Sequence, residues 1–275
     1  MINFGLIIFT RVPIPGDTKT RLTIEEGGPL TTIEAARFYE ASLTDVIVTS
    51  INAIQSCREN KPALSYDMFI AYEPKDREQD IIQILKNVNL EYEAVNQIKL
   101  FSTGGESFND RIYAAFDTVF NSGYEAVIVI GGDHPTIQPH VLQEAFLHLD
   151  HLNKKFGKGA MVVGPCLEAG VYLVGQTSNL HIDFDGVFFN PQGITALEAF
   201  TEKAIERNVP LAMLELVPDV DIPSDLASLI VTLKTMEYSS KFQSNITLPC
   251  YTLNLLPDLH LVTRAPPSQR DLKPK

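Results

Sequence analysis

The sequence predicts an α/β domain whose sheet is mostly parallel and is covered by helices on both faces. Two short apolar runs, residues 4–9 and 126–130, are typical of strands that are buried on both sides. Segments with apolar residues at helical spacing alternate with these runs and with further strand-like stretches. Since such alternation normally forms right-handed crossovers, most neighbouring strands are expected to run in the same direction.

The first half of the chain shows this alternation clearly. A helix is predicted over residues 31–52, because Thr31 and Glu34 have the spacing of a capping box and apolar residues recur at helical intervals. Ser107 and Asp110 can cap a later helix. Between these helices the pattern predicts a strand, a helix with an acidic first turn and a weaker strand, at residues 65–72, 76–86 and 93–98.

The second half continues the pattern and then changes. It predicts a helix, a strand, a second helix and a second strand, at residues 138–152, 160–163, 194–208 and 212–217. Five prolines lie beyond residue 238, so we expect one domain over residues 1–238 and an extension over residues 239–275. Within the extension we expect a strand pair at residues 246–256 and a disordered tail.

Composition excludes several classes of partner. The chain has 275 residues and a formal net charge of -12, which disfavours nucleic acid and anionic membranes as partners. The N-terminal apolar run is too short for a membrane span or a signal peptide, so a cytoplasmic protein is expected. Three scattered cysteines fit neither a disulfide framework nor a zinc cluster. The sequence leaves open whether the chain forms a homo-oligomer.

A cationic loop follows the first predicted strand. It carries Arg11, Gly16, Lys19 and Arg21 against a single acidic residue, Asp17. Arginine forks and a lysine ammonium bind phosphate oxygens, and glycine lets backbone amides approach closely. The loop therefore predicts a diphosphate site at the carboxyl edge of the sheet, although an ordinary solvated turn would have a similar composition.

Acidic residues occur at two later points of the chain. Gly132 and Asp133 follow the strand at residues 126–130, where a carboxylate can hold a divalent ion next to phosphate or can begin a helix. Asp219 and Asp221 follow the last predicted strand. We expect only one of this second pair to face a site, and we assign Asp221 to a metal and Asp219 to turn capping. Between them, Glu168 lies at the bend of a hairpin that could hold an acceptor or form a plain sheet edge.

Four motifs in this order resemble a bacterial family of GT-A-like glycosyltransferases that includes an arsenosugar-biosynthesis branch. They lie at residues 9–22, 131–135, 164–175 and 219–226, and the resemblance spans about residues 1–229. It implies a Rossmann-like three-layer α/β/α sandwich of the nucleotide-diphospho-sugar transferase type, with a mixed, mostly parallel sheet. The motifs are similar also to those of nucleotidyltransferases of cofactor synthesis.

The resemblance also implies roles for individual residues. Asp133, Lys19 and Arg21 would be catalytic, with Asp133 and Asp221 binding Mg²⁺ or Mn²⁺. The nucleotide and its phosphates would be bound by Arg11, Gly16, Lys19, Arg21 and Gly132. The acceptor side would include Glu168, Tyr172 and Arg111.

The function expected from the resemblance is metal-dependent transfer from a nucleoside-diphosphate-activated donor to a small-molecule acceptor, with glycosyl transfer as the first hypothesis. One alternative is nucleotidyl transfer from a nucleoside triphosphate with release of pyrophosphate. Another is a catalytically silent nucleotide-binding protein, because residues 168–171 read Glu-Ala-Gly-Val where the family usually has Asp-Gly-Gly-Tyr. Residues 189–192, Phe-Asn-Pro-Gln, likewise replace a segment that often contains tryptophan.

Overall fold

A seven-stranded sheet forms the centre of the computed structural model, which describes residues 2–88, 95, 97–180, 182–261 and 263. The strands are β1 (Ile2–Arg11), β2 (Leu64–Glu73), β3 (Lys99–Ser102), β4 (Ala126–Gly131), β5 (Met161–Pro165), β6 (Val171–Thr177) and β7 (Leu211–Met213). Their order across the sheet is β3-β2-β1-β4-β6-β5-β7. Strand β6 runs antiparallel to both of its neighbours, and the other pairs are parallel. The predicted mixed, mostly parallel sheet is confirmed.

Helices cover both faces of this sheet. They are α1 (Thr32–Asn60), α2 (Glu78–Lys86), α3 (Phe108–Asn121), α4 (Pro139–Phe156), α5 (Ala196–Glu206), α6 (Pro223–Ser239) and α7 (Cys250–Leu255). One face packs against α1, α2 and α4, and the other packs against α3 and α5. The predicted three-layer sandwich is therefore confirmed. No helix within the described ranges is long and apolar enough to cross a lipid bilayer.

Strand β1 lies in the middle of this arrangement and supplies side chains to both faces. Leu6 and Ile8 pack in the first core and Ile7 in the second, and none of the three is exposed to solvent. The alternation follows from the two-residue period of a strand. Because burial of such a side chain contributes about 1.5–3 kcal/mol, β1 is firmly fixed and the loop after it starts from a rigid position.

The two predicted helix caps are confirmed. Thr31 and Glu34 form a complete capping box at the start of α1, and Ser107 and Asp110 form another at the start of α3. Helix α1 continues to Asn60, eight residues beyond its predicted end, because Ile54 and Cys57 extend its buried face.

Three predictions about strands need correction or lie outside the described residues. Residues 89–94 and 96 are outside the described ranges, and β3 begins only at Lys99, after the predicted strand at 93–98. Strand β7 ends at Met213, well before residue 217. The predicted strand pair at residues 246–256 is wrong, because α7 occupies this stretch. The predicted disordered tail lies mostly at residues 264–275, which are not described.

Helix α7 forms because a distant carboxylate caps it. Asp45 of α1, only 3% exposed, accepts hydrogen bonds from the backbone N–H of Tyr251 at 3.0 Å and of Thr252 at 2.7 Å. The Thr252 hydroxyl donates a third bond to the same side chain at 2.7 Å. No local pattern in a six-residue helix reveals a capping residue some two hundred positions earlier, so the sequence does not predict α7.

This capping contact gives a pH dependence. Burial raises the pKa of Asp45 to about 6, against the opposing effect of its hydrogen bonds to Thr252 and Tyr251. The folded chain therefore takes up this proton more readily than the unfolded chain, whose aspartates titrate near pH ~3.9. Between about pH 7 and pH 4, the native chain should gain about 2–3 kcal/mol of unfolding free energy relative to Asp45→Asn. Urea denaturation of both proteins across this range measures the difference, and parallel curves would contradict the prediction.

Candidate functional site

A cavity of about 600 Å³ opens at the carboxyl edge of the sheet. Register explains which side chains meet there: Arg11 pairs with Glu73 at the ends of β1 and β2, and Phe9 pairs with Gly131 at the end of β4. The loop after β1 and the turn after β4 therefore leave the sheet side by side. Both line the cavity.

Lys19 connects these two segments and a third. Its Nζ lies 2.7 Å from Asp133 Oδ2 and 2.7 Å from Asp221 Oδ1. Only 8% of the lysine side chain is exposed. The predicted meeting of the cationic loop with the acidic turn in one cavity is confirmed by these contacts.

The loop after β1 is folded so that Lys19 points inward. Thr18 Oγ1 accepts a hydrogen bond from Ile14 N at 3.0 Å and donates one to Val12 O at 3.3 Å. Lys19 itself has a left-handed backbone, with φ of 51°, and precedes a short 3-10 turn whose Leu22 is fully buried. The buried Leu22 therefore anchors the end of the loop that follows Lys19.

Electrostatics keeps this ion pair charged. Burial alone would lower the pKa of Lys19, but the charges of Asp133 and Asp221 outweigh burial and hold that pKa above its ordinary value. Burial would likewise raise the pKa of Asp133, but Lys19, with a smaller effect from His134, holds it well below its usual range. His134 Nε2 lies 3.1 Å from the second oxygen of Asp133. Both partners are thus ionised at neutral pH.

The backbone beneath Asp133 is closely packed. A methyl group at Gly132 would lie 2.8 Å from Leu43 Cδ1 and 3.1 Å from the Tyr39 hydroxyl, so a larger residue would require these side chains to shift. Ser42 donates a hydrogen bond to Gly132 O at 3.1 Å. Burial, and then the charge of Asp133, raises the pKa of Tyr39 to about 12, so this hydroxyl stays neutral. Close packing and the hydrogen bond from Ser42 therefore hold the backbone at the cavity floor.

The assignment of Asp219 to turn capping is wrong. Asp219 and Asp221 both line the cavity, whereas Val220 between them is 2% exposed and packs in the core with α6. Side chains two residues apart in an extended segment lie on the same side, so the pair should have been expected to act together. The capping carboxylate is Asp225, which accepts hydrogen bonds from the N–H groups of Asp221 and Ile222 at 3.0 Å each.

Asp219 has a distinct environment within the cavity. Its pKa is raised by burial and then by the negative charge of Asp221. The Cys166 thiol lies beside it, and burial followed by the charge of Asp219 raises the pKa of this thiol to about 12. Cys166 therefore remains a neutral thiol, and Asp219 is the cavity carboxylate that binds a proton more readily than an ordinary aspartate.

The other predicted cations lie nearer to solvent. Arg21 is 70% exposed, and its Nη1 lies 4.0 Å from Asp221 Oδ2. Arg11 pairs with Asp17 at 3.0 Å, and its Nε lies 3.5 Å from Glu73. Arg111 of α3 approaches the same Glu73 at 3.1 Å. Glu73 was not predicted, although its place at the end of β2 matches that of Arg11 in β1.

Of the three remaining predicted residues, one lines the cavity and two lie outside its wall. Tyr172 lines it, but the tyrosine hydroxyl donates to Glu215 O at 3.0 Å and so turns away. Gly16, with φ of +85°, shapes the loop without lining the cavity. Glu168 is exposed at the bend between β5 and β6, also outside the cavity wall.

The fold is similar to that of a solved protein of α/β architecture. The crystal structure of a Desulfovibrio desulfuricans G20 protein, described as a "putative nucleotide-diphospho-sugar transferase", matches with a TM-score of 0.68 and 24% identity. The match covers 94% of this chain and 95% of that one. Residues 58–191 match a family model described as "uncharacterized protein conserved in bacteria (DUF2064)".

Two further solved structures match with lower TM-scores. A cytidylyltransferase of Leptospira borgpetersenii has a TM-score of 0.49 and 12% identity over 94% of this chain and 97% of its own. A CMP:2-keto-3-deoxy-manno-octonic acid synthetase, solved with CTP, has a TM-score of 0.45 and 12% identity over 85% and 99%. A search of curated protein sequences found no match to this chain.

The resemblance implies a divalent cation, whose ligands would come from the acidic side chains of the cavity. Among the described residues, no group of three or more histidine, cysteine or acidic side chains has the arrangement of a formed metal site. However, Asp133 and Asp221 each direct an oxygen at one shared cation position, which the Lys19 ammonium takes. Carboxylate oxygens are ligands that suit Mg²⁺ and Mn²⁺. The two aspartates therefore fit such an ion, provided that Lys19 releases them.

Proposed function

We propose that this chain is a metal-dependent glycosyltransferase that uses a nucleoside-diphosphate-activated sugar. The observation that carries this proposal is the contact of Lys19 with both Asp133 and Asp221 inside one cavity. A diphosphate in this cavity would meet cations from the loop after β1 and carboxylates from two other segments. The fold supports the same class of donor.

The cationic loop is suited to the phosphates of the donor. Arg11 and Arg21 have exposed guanidinium groups at the cavity mouth, where they can bind phosphate oxygens in pairs. Lys19 lies deeper and adds a compact charge next to the acidic residues. Negative charge that grows on a leaving diphosphate would be stabilised by these preorganised cations.

Asp133 and Asp221 would hold the Mg²⁺ or Mn²⁺ ion. When bound, such an ion supplies positive charge that neutralises the diphosphate. Lys19 would then donate its hydrogen bonds to phosphate oxygens in place of the two carboxylates. Its buried position keeps it within reach of both kinds of partner.

The acceptor would lie against the other wall of the cavity, near Arg111 and Tyr172, with Glu168 at the bend beyond them. Asp219 is suited to accept a proton from an acceptor hydroxyl, because burial and the nearby Asp221 raise its pKa. It lines the same cavity as the Lys19 cluster. Transfer of a sugar to that hydroxyl would thus release the nucleoside diphosphate and leave the proton on Asp219.

Isothermal titration with UDP- and GDP-sugars, with and without Mg²⁺ or Mn²⁺, tests the proposal. We expect saturable binding that requires the cation and is lost in Asp133→Ala. Asp76→Ala, at an exposed site outside the cavity, serves as the control. Absence of cation-dependent binding for every nucleotide sugar would reject it. Pyrophosphate release from a nucleoside triphosphate would identify nucleotidyl transfer instead.

A further inference from the structure

Three phenylalanines form an aromatic rim on one wall of the cavity. They are Phe108 at the start of α3 and Phe188 and Phe189 in the segment before α5. The ring of Phe108 packs edge-on against Phe188, with 5.0 Å between centroids, and against Phe189, with 5.6 Å. All three rings line the cavity, so the rim is part of its ligand-accessible surface.

The side chain of Phe189 is exposed to solvent although it is large and apolar. It is 83% exposed, more than any other large hydrophobic residue in the described ranges. Its backbone φ is 53°, in the left-handed region that side chains with a Cβ rarely adopt. Exposure and strain both cost free energy, and they persist only where the surrounding structure imposes them.

The surrounding structure does impose this conformation. The side-chain amide of Asn109 forms two hydrogen bonds with the backbone of Phe188. Its Nδ2 donates to Phe188 O at 3.1 Å, and its Oδ1 accepts from Phe188 N at 3.0 Å. Phe188 also packs against Phe200, with centroids 5.8 Å apart. Asn190 then closes the turn by donating to Gly186 O at 2.6 Å. The segment is fixed on both sides of Phe189, which projects its ring at the cavity rim.

We propose that the aromatic rim is a subsite that stacks against a ring of the substrate, with Phe189 as its specificity-determining residue. Aromatic faces bind nucleobases by stacking and sugar rings through their apolar faces. Phe108 and Arg111 lie one helical turn apart on α3, so a ring on the rim has the Arg111–Glu73 pair beside it for hydrogen bonds. The inference rests on the proposed function for the source of the ring, which is either the donor base or a ring-bearing acceptor.

The chain contains no tryptophan, which makes a direct test simple. Phe189→Trp places a single indole at the rim, and its fluorescence reports on stacking. One arm titrates UMP, CMP, GMP and AMP, and the other titrates methyl and phenyl hexosides that carry no phosphate. Phe242→Trp is the matched control, because Phe242 is 74% exposed and lies outside the cavity wall.

We expect saturable quenching of the indole at position 189 in one of the two arms and none at position 242. Phe189→Ala should weaken binding of the same ring ligand about tenfold, the effect of losing one stacking contact. Inorganic pyrophosphate has no ring, so its affinity should be equal in Phe189→Ala and the native chain. A nucleotide response would assign the ring to the donor base, and a hexoside response would assign it to the acceptor.

The subsite is rejected if neither arm perturbs the indole at position 189 and Phe189→Ala binds every ring ligand as the native chain does. An equal response at position 242 would also reject it as non-specific. Pyrophosphate binding separates this failure from that of the proposed function. If pyrophosphate and cations fail to bind while ring ligands stack, the diphosphate proposal falls and the subsite remains.

Discussion

In the proposed glycosyl transfer, Asp133→Asn should lower the rate by at least about a hundredfold while leaving the protein folded. Asparagine keeps the shape of the side chain but removes one of the two negative charges that Lys19 contacts. It also removes a carboxylate that would hold the divalent ion. Since Asp133 is only partly exposed and contacts the nearly buried ammonium of Lys19, the loss should exceed that at a fully exposed carboxylate.

Steady-state release of nucleoside diphosphate measures this effect, with circular dichroism as the check on folding. Asp76→Asn, which changes the same charge at an exposed position, should keep the native rate. A rate for Asp133→Asn within a factor of about three of the native rate would mean that Asp133 does not act on the reacting groups.

Lys19→Met should change two affinities in opposite directions. Binding of the nucleoside diphosphate should weaken about tenfold or more, because the variant loses a cation that we propose binds phosphate. Binding of Mn²⁺ without nucleotide should become tighter, because Asp133 and Asp221 lose the ammonium that neutralises both. Unfolding free energy should fall by about 1–2 kcal/mol, less than for a fully buried pair because both carboxylates are partly exposed.

Titration calorimetry with Mn²⁺ and with the diphosphate, each alone, separates the two effects. Lys154→Met is the control, because Lys154 pairs with Asp150 on the exposed side of α4. Unchanged Mn²⁺ affinity in Lys19→Met would indicate that the cation binds somewhere other than between Asp133 and Asp221. The diphosphate titration would still test the role of Lys19 in phosphate binding.

The sequence predicts the juxtaposition of Lys19 and Asp133 because strand direction alone determines it. Residues 4–9 and 126–130 are recognisable as buried strands, and parallel strands end at one edge of a sheet. The segments that follow them must therefore meet. The contact with Asp221 was harder to foresee, since no strand directly precedes that residue: β7 ends at Met213.

Other parts of the site depend on contacts that a local pattern does not contain. Nothing in the sequence around residue 189 indicates that its phenylalanine is exposed. The contact that fixes the neighbouring backbone comes from Asn109 of α3, which is distant along the chain. Glu73 is recognisable only after the register of β1 and β2 is known. The wrong prediction for Asp219, in contrast, was avoidable from the sequence. Side chains two residues apart in an extended chain lie on the same side, which places Asp219 with Asp221.

The capping of α7 by Asp45 affects how the chain can be shortened. A version that stops near residue 238, where the composition changes, would lose both the helix and the three donors to a carboxylate that is almost fully covered. It would also uncover leucines that Leu255 and Leu259 shield. Recombinant fragments for crystallisation should therefore retain the polypeptide through residue 261, even though the change in composition suggests an earlier end.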